Sequence, residues 1–195
     1  MEKHEIELRP FPPFLPPHAT VLMMGSFPPA AEKRAMEFHY PNFQNDMWRV
    51  YGLVFFGDAM HFQRGEEKAF DAEKIKAFLT ERGIAIWDTA MEVSRLQGNA
   101  SDKFLEVLRP IDLRQTLAML PSCRAIAVTG QKALDTLLTL VAAPSTPKTG
   151  EWTEAVLDDR HFRLYRMPSS SRAYPLPVEK KAEKYRRMFE EMGLK

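Results

Sequence analysis

The chain has 195 residues, 45% of them hydrophobic, and a formal net charge of +1. That size suits one substantial core and falls short of two independent domains; near-neutrality excludes a global field that would draw it onto a polyanion, so any nucleic-acid contact must come from a local patch. The single cysteine, Cys123, excludes an internal disulfide framework and a metal or iron–sulfur site built on several thiolates, while the lack of a signal core at Met1–Glu5 or of an apolar run near ~20 residues leads us to expect a soluble, cytoplasmic protein with no membrane contact.

In chain order, residues 1–19 read as a proline-rich arm. RPFPPFLPPH, from Arg9 to His18, has too many prolines for a helix or a central strand and should lie extended, clamping its phenylalanines onto the body. A strand follows at Thr20 to Gly25, then a long loop of aromatics, prolines and amides, MGSFPPAAEKRAMEFHYPNFQNDMW. Met47, Trp48, Tyr51 and Leu53 open a helical apolar pattern, with Trp48 read as core that fixes the preceding loop. A helix is expected from Asp71 to Arg82, stopped by Gly83, and a strand from Ile84 to Asp88. Next come a helix at Asp112 to Leu120 before Pro121, a strand at Arg124 to Gly130, and a helix at Gln131 to Val141. The loop AAPSTPKTGEW leads to a strand at Phe162 to Pro168. In residues 177–195, Tyr185, Met188, Phe189 and Met192 share one face of a docked amphipathic helix.

Strands alternating with helices predict a three-layer α/β/α sandwich around a central, mainly parallel four-stranded sheet. We find no internal repeat and no dividing linker, so residues 1–195 form one domain. In open sheets of this kind, ligands bind outside the carboxyl ends of the strands. Four loops qualify: GSFPP from Gly25, DTAMEVSR from Asp88, TGQKA from Thr129 and MPSSSRAYP from Met167. The first and last are rigid and rich in small donors that a polyanion or a flat base can approach closely. No His-x-x-x-His spacing occurs among the five histidines, so neither a metal nor another cofactor is expected; His39 needs no role beyond the loop, and Cys123 is an inert thiol.

The order Gly25-Ser26-Phe27-Pro28, His39-Tyr40, Asn45-Asp46-Met47-Trp48 and Pro168-Ser169-Ser170, with IAIWDTA and AIAVTGQKA between, resembles the uracil-DNA glycosylase superfamily over about Phe11 to Tyr174. The likeness is nearest to its hypoxanthine-DNA and mismatch-specific uracil-DNA glycosylase branches. Two branches carry Asn or Asp at the third place of the first motif, where this chain has Phe27. In the hypoxanthine branch that place is also apolar, and the resemblance transfers the catalytic amide to Asn45. Pro29 replaces the second glycine of the motif, and Asn42-Phe43 stands where relatives have His-Pro.

The resemblance implies a monofunctional enzyme that hydrolyses the N-glycosidic bond of a deaminated base, uracil or hypoxanthine, in double- or single-stranded DNA and leaves an abasic site. Such chemistry develops positive charge on the sugar and negative charge on the departing base. Donors should therefore face the base: the backbone N–H groups of Ser26 and Phe27, within a pocket of Gly25, Ser26, Phe27, Pro28 and Tyr40, and the amide of Asn45. Among the carboxylates Asp46, Asp88 and Glu37, Asp88 is the candidate to stabilise the sugar cation or activate water. Tyr40 takes the base-stacking place, ahead of Phe38 and Phe43. Ser169, Ser170, Ser171 and Arg172 suit flanking phosphates, as does Lys132 at a helix start, and the wedge is Arg172, Tyr174 or Leu176. The expected protein is a monomer. The alternatives are a noncatalytic nucleotide- or nucleic-acid-binding module with the same fold and an unrelated small-molecule hydrolase.

Overall fold

The computed structural model describes residues 5–96 and 104–195, so Met1–His4 of the expected arm lie outside the described residues. In chain order the elements are β1 (Ile6–Leu8), β2 (Val21–Gly25), α1 (Met47–Phe56), α2 (Ala72–Arg82), β3 (Ile84–Asp88), β4 (Ala90–Arg95), β5 (Leu105–Pro110), α3 (Leu113–Ala118), β6 (Ala125–Thr129), α4 (Gln131–Leu138), β7 (Trp152–Leu157), β8 (Arg160–Met167) and α5 (Val178–Glu191). Local chemistry sets several boundaries. The Asp71 carboxylate accepts the Lys74 N–H to open α2, and Gly83, at φ 70°, closes it in the left-handed conformation that glycine adopts without strain.

Strands β2, β3 and β6 are buried along their whole length, as parallel strands covered on both faces must be. Their side chains sort by parity. Val21, Met23, Ile84, Ile86, Ala125 and Ala127 pack with α1, α2 and α5, whereas Leu22, Met24, Ala85, Trp87, Ile126 and Val128 pack with α3 and α4. The result is a layer of helices on each face of the sheet. Tyr185, Met188, Phe189 and Met192 are all buried, as their spacing predicts.

The sheet has five strands rather than the expected four, in the order β3-β2-β6-β8-β7. The first four are mutually parallel, and β7 pairs antiparallel with β8 through a two-residue turn at Asp158-Asp159. Trp152, assigned by sequence to a loop, begins this edge strand; its residues alternate between exposed and buried, which leaves no continuous apolar run to read. A second correction concerns DTAMEVSR. Ala90–Arg95 is a strand, β4, of a separate three-stranded antiparallel sheet in the order β1-β4-β5. Phe27, Ala90, Val93 and Leu105 form the small core of that sheet.

Two features of the fold position the loops. The parallel register sets Gly25 opposite Asp88 and Thr129 opposite Met167, which gathers all four predicted loops at one edge. The arm is extended, and Phe14 exchanges both backbone hydrogen bonds with Ile86 of β3, at 3.0 and 2.8 Å, so the arm runs beside the strand that ends in Asp88. No described helix is long and apolar enough to cross a membrane.

Candidate active site

At the end of β2, Gly25 lies beneath two polar atoms. A Cβ there would meet Asp88 Oδ1 at 2.9 Å and the Tyr40 hydroxyl at 3.0 Å, so only glycine leaves room for the present arrangement. Tyr40 sits at φ 52°, a left-handed backbone uncommon for a bulky side chain. Its hydroxyl lies 3.1 Å from Thr129 Oγ1 at the end of β6, so the ring spans from the first loop across the strand ends. Ser26 and Pro28 are buried, while the Phe27 side chain packs into the core of the small sheet, under the Arg95 guanidinium. Among these residues, the structure thus brings Gly25, Tyr40 and Asp88 into direct proximity.

Asp88 is not a solvated carboxylate. Its Oδ2 is ion-paired with Arg9 of the arm, and the side chains of Arg9 and Asp88 are only 2% and 8% exposed. The guanidinium also lies over the Trp87 ring, 4.0 Å from its centroid, and donates toward His39 Nδ1 at 3.3 Å. With Nδ1 facing a donor, the His39 proton belongs on Nε2, which faces the Pro12 carbonyl at 3.1 Å. Burial drives the His39 pKa down to about 4, with Arg9 pushing in the same direction and Asp88 and the Pro12 carbonyl opposing. The imidazole is therefore neutral near pH 7. A carboxylate gripped by a guanidinium is an oriented acceptor.

Asn45 occupies a separate, equally constrained loop. Its Oδ1 accepts the Met47 N–H at 2.9 Å, which leaves the Nδ2 end as the outward donor, and its carbonyl accepts from Arg49 at 3.0 Å. Arg49 also donates to the Phe43 carbonyl and stacks on Phe43 and Phe70. Trp48 is fully buried and donates to the His39 carbonyl at 3.1 Å, so it ties the Asn45 loop to the Tyr40 segment as its core assignment requires.

The neighbouring Asp46 joins this loop to the chain's C-terminal part. Its N–H donates to the Ser170 carbonyl at 2.9 Å. Its carboxylate meets Lys181 of α5 at 3.0 Å, in a pair whose side chains are 0% and 8% exposed, and Arg172 at 3.4 Å. Lys181 also donates to the Ser171 carbonyl at 2.8 Å, and Tyr185 holds the Pro168 carbonyl. The Ser169 and Ser171 hydroxyls accept the N–H groups of Ser171 and Ala173, each at 3.2 Å, so they shape successive turns while retaining a proton to donate. Ser170 is buried, Arg172 is exposed, and Lys132 is half-buried in the first turn of α4.

Arg9, Thr129 and Lys181 were not singled out for the site from sequence, and His39 was weighed there and given no role. One signal was available: Lys181 stands four residues before Tyr185, on the apolar face of α5, where a charge demands a partner. Cys123 is buried, and burial raises its pKa to about 11, in keeping with an inert thiol. Among the described residues no group of three or more His, Cys, Asp or Glu side chains could hold a metal ion. A cleft of about 570 Å³ lies between Pro10–Pro12 of the arm and the segment from Ala31 to Glu37, with Phe11, Arg34 and Met36 in its wall. It does not include Gly25, Tyr40, Asn45 or Asp88.

No protein-family profile matches the chain, and no curated protein sequence matches it. Among solved structures, it is similar to the solution NMR structure of a "putative Uracil DNA glycosylase" from Methanosarcina acetivorans, with a TM-score of 0.61 and 23% identity over 95% of this chain and 99% of that one. The two proteins share a fold across nearly their whole lengths.

Proposed function

We propose that the protein is a monofunctional DNA glycosylase that removes a deaminated base, uracil or hypoxanthine, from DNA as a monomer. The observation that carries this reading is the joining of Gly25, Tyr40 and Asp88 at the carboxyl edge of the sheet, in a fold shared with the Methanosarcina protein. The target nucleotide leaves the stack, at a cost of a few kcal/mol that is least for mispaired bases. Tyr40 then stacks on the base, which requires its ring to shift from its place over Gly25. The Ser26 and Phe27 N–H groups and Asn45 Nδ2 donate to the base as it gains charge. The electrons of the glycosidic bond leave with the base, water adds to the sugar cation and loses a proton, and the products are the protonated free base and an abasic deoxyribose. Asp88 Oδ1, on the side of the carboxylate away from Arg9, orients that water or faces the cation.

Ser169, Ser170, Ser171, Arg172 and Lys132 hold the flanking phosphates. A lysine imine is not part of this scheme: no lysine lies in the first or last motif, and Lys181, which reaches the Ser171 carbonyl, is wholly buried against Asp46. Duplex oligonucleotides with a single uracil, hypoxanthine, xanthine or mispaired thymine test the reading. Alkali-labile abasic sites should form with uracil or hypoxanthine. No release of any of the four would favour the noncatalytic nucleic-acid-binding module, a reading that the apolar placement of Phe27 also supports.

A further inference from the structure

We propose that Arg9, brought in by the N-terminal arm, is a positioning residue of this site: its guanidinium fixes the Asp88 carboxylate against Gly25 and selects the tautomer of the His39 ring behind it. The backbone explains how a residue 79 positions from Asp88 in sequence arrives there. Phe14 and Ile86 pair antiparallel, and the Arg9 N–H donates to the Met91 carbonyl at 3.1 Å, so the arm passes alongside the end of β3 as it runs toward its N-terminus. Trp87 then supplies the flat surface on which the guanidinium rests. One terminal nitrogen is committed to Asp88 Oδ2 and the other to His39 Nδ1. Oδ1 is left as the carboxylate oxygen nearest the space above Gly25.

Packing does not account for this choice. An apolar pair of similar volume commonly replaces a buried ion pair without loss of stability, and here the arrangement is not even fully satisfied, since the buried Arg9 Nε has no hydrogen-bond partner among the described residues. What the guanidinium provides and an apolar side chain cannot is direction: it commits one carboxylate oxygen and one ring nitrogen, and so determines which acceptor faces the crevice. The groups around His39 are Arg9 and Asp88, the Pro12 carbonyl, and the rings of Phe11, Phe38 and Trp87. With Arg9 removed, the imidazole keeps the Asp88 carboxylate and loses the cation.

The test compares Arg9→Met and Arg9→Lys with the parent by NMR titration of the His39 ring, after far-UV circular dichroism has established that each is folded. In Arg9→Met the His39 titration should rise by at least about one pH unit, because the cation that opposes its protonation is gone and the neighbouring carboxylate remains. In Arg9→Lys it should stay near the parental value. A His39 titration that is unchanged in Arg9→Met overturns the proposal, and if Arg9→Met does not fold, a full titration shift in Arg9→Lys overturns it equally. The catalytic consequence rests on the glycosylase reading. Single-turnover base release should fall roughly tenfold or more in Arg9→Met, change less than about threefold in substrate affinity, and recover in part in Arg9→Lys. A parent inactive on every base would defeat the glycosylase reading while the NMR titration still decides the role of Arg9.

Discussion

Two buried ion pairs hold the two halves of the candidate site, and they act differently. Arg9–Asp88 ties the N-terminal arm to the end of β3, and Lys181–Asp46 ties α5 to the Asn45 loop. In the first, the carboxylate has one oxygen on the cation and the other over Gly25, so the pair is part of the crevice. In the second, the lysine divides its donors between Asp46 and the Ser171 carbonyl, and the Asp46 N–H reaches Ser170, so the pair is a joint between loops. One pair aims a functional group; the other sets the frame on which functional groups are mounted. Removing the frame should cost stability, and disturbing the groups it carries should cost rate.

The largest effect is therefore expected from Lys181→Met. It leaves the buried Asp46 carboxylate with only the exposed Arg172 as a cation partner among the described residues, and breaking one partner of a buried pair costs about 3–5 kcal/mol. Chemical denaturation measures this directly. Asp46→Leu combined with Lys181→Met should recover part of the loss, because both charges are then gone. If Lys181→Met lies within about 1 kcal/mol of the parent, the scale of an exposed ion pair, the C-terminal joint is not structural and the contrast between the two pairs fails.

Asn45→Ala should do the opposite. Among the described residues its side chain accepts the Met47 N–H alone, so stability should fall by about 1 kcal/mol, the value of a lost helix-start bond, while single-turnover base release falls ~10²-fold or more. A rate within threefold of the parent would remove Asn45 from catalysis. Tyr40 is intermediate. Tyr40→Ala should lose roughly 1–3 kcal/mol of base capture, the worth of stacking on an aromatic. Tyr40→Phe, which keeps the ring and gives up the bond to Thr129, should lose less, about 0.5–1.5 kcal/mol for that hydrogen bond. Equal losses in the two variants would mean that the hydroxyl, not the ring, does the holding.

Much of the fold was legible because its signals are local. The unbroken apolar runs at Val21–Gly25 and Ile84–Asp88, and the Asp71 and Gly83 caps, each specify their element within a few residues. The strands that escaped notice lack such runs: β7 and β5 alternate with solvent-facing residues, and β1 has three residues with Ile6 and Leu8 exposed. For the site, the loops could be ordered along one sheet edge, but their fastening could not. Arg9 meets Asp88 across 79 positions and Lys181 meets Asp46 across 135, and no periodicity reports a contact at such separation. Asp46, passed over for Asp88 in the sequence, is buried for the same long-range reason. Tyr40 was assigned the base-stacking place from its position in the sequence, whereas only the folded chain shows its hydroxyl end lying over Gly25.

The smallest effect on stability, and the most specific on DNA, is expected at Arg172. Its side chain is 54% exposed and its Nε stands 3.4 Å from Asp46 Oδ1, while Lys181 already holds the other oxygen at 3.0 Å. Losing so exposed a pair costs at most about 1 kcal/mol, so Arg172→Ala should melt close to the parent even though Lys181→Met does not. That leaves the guanidinium able to exchange Asp46 for a phosphate without loosening the joint beneath it. If it holds backbone or fills the vacated stack, Arg172→Ala should weaken processing of duplex more than of single-stranded substrate, where less unpairing is needed. Losing one phosphate contact also lowers the magnitude of the log-affinity slope against log salt by about one unit. Matched single- and double-stranded oligonucleotides at several salt concentrations separate the possibilities. A shallower slope with equal losses on both substrates marks a phosphate clamp, a duplex-specific loss with the parental slope marks a wedge, and equal losses with the parental slope would return Arg172 to the scaffold and shift the wedge to Tyr174 or Leu176.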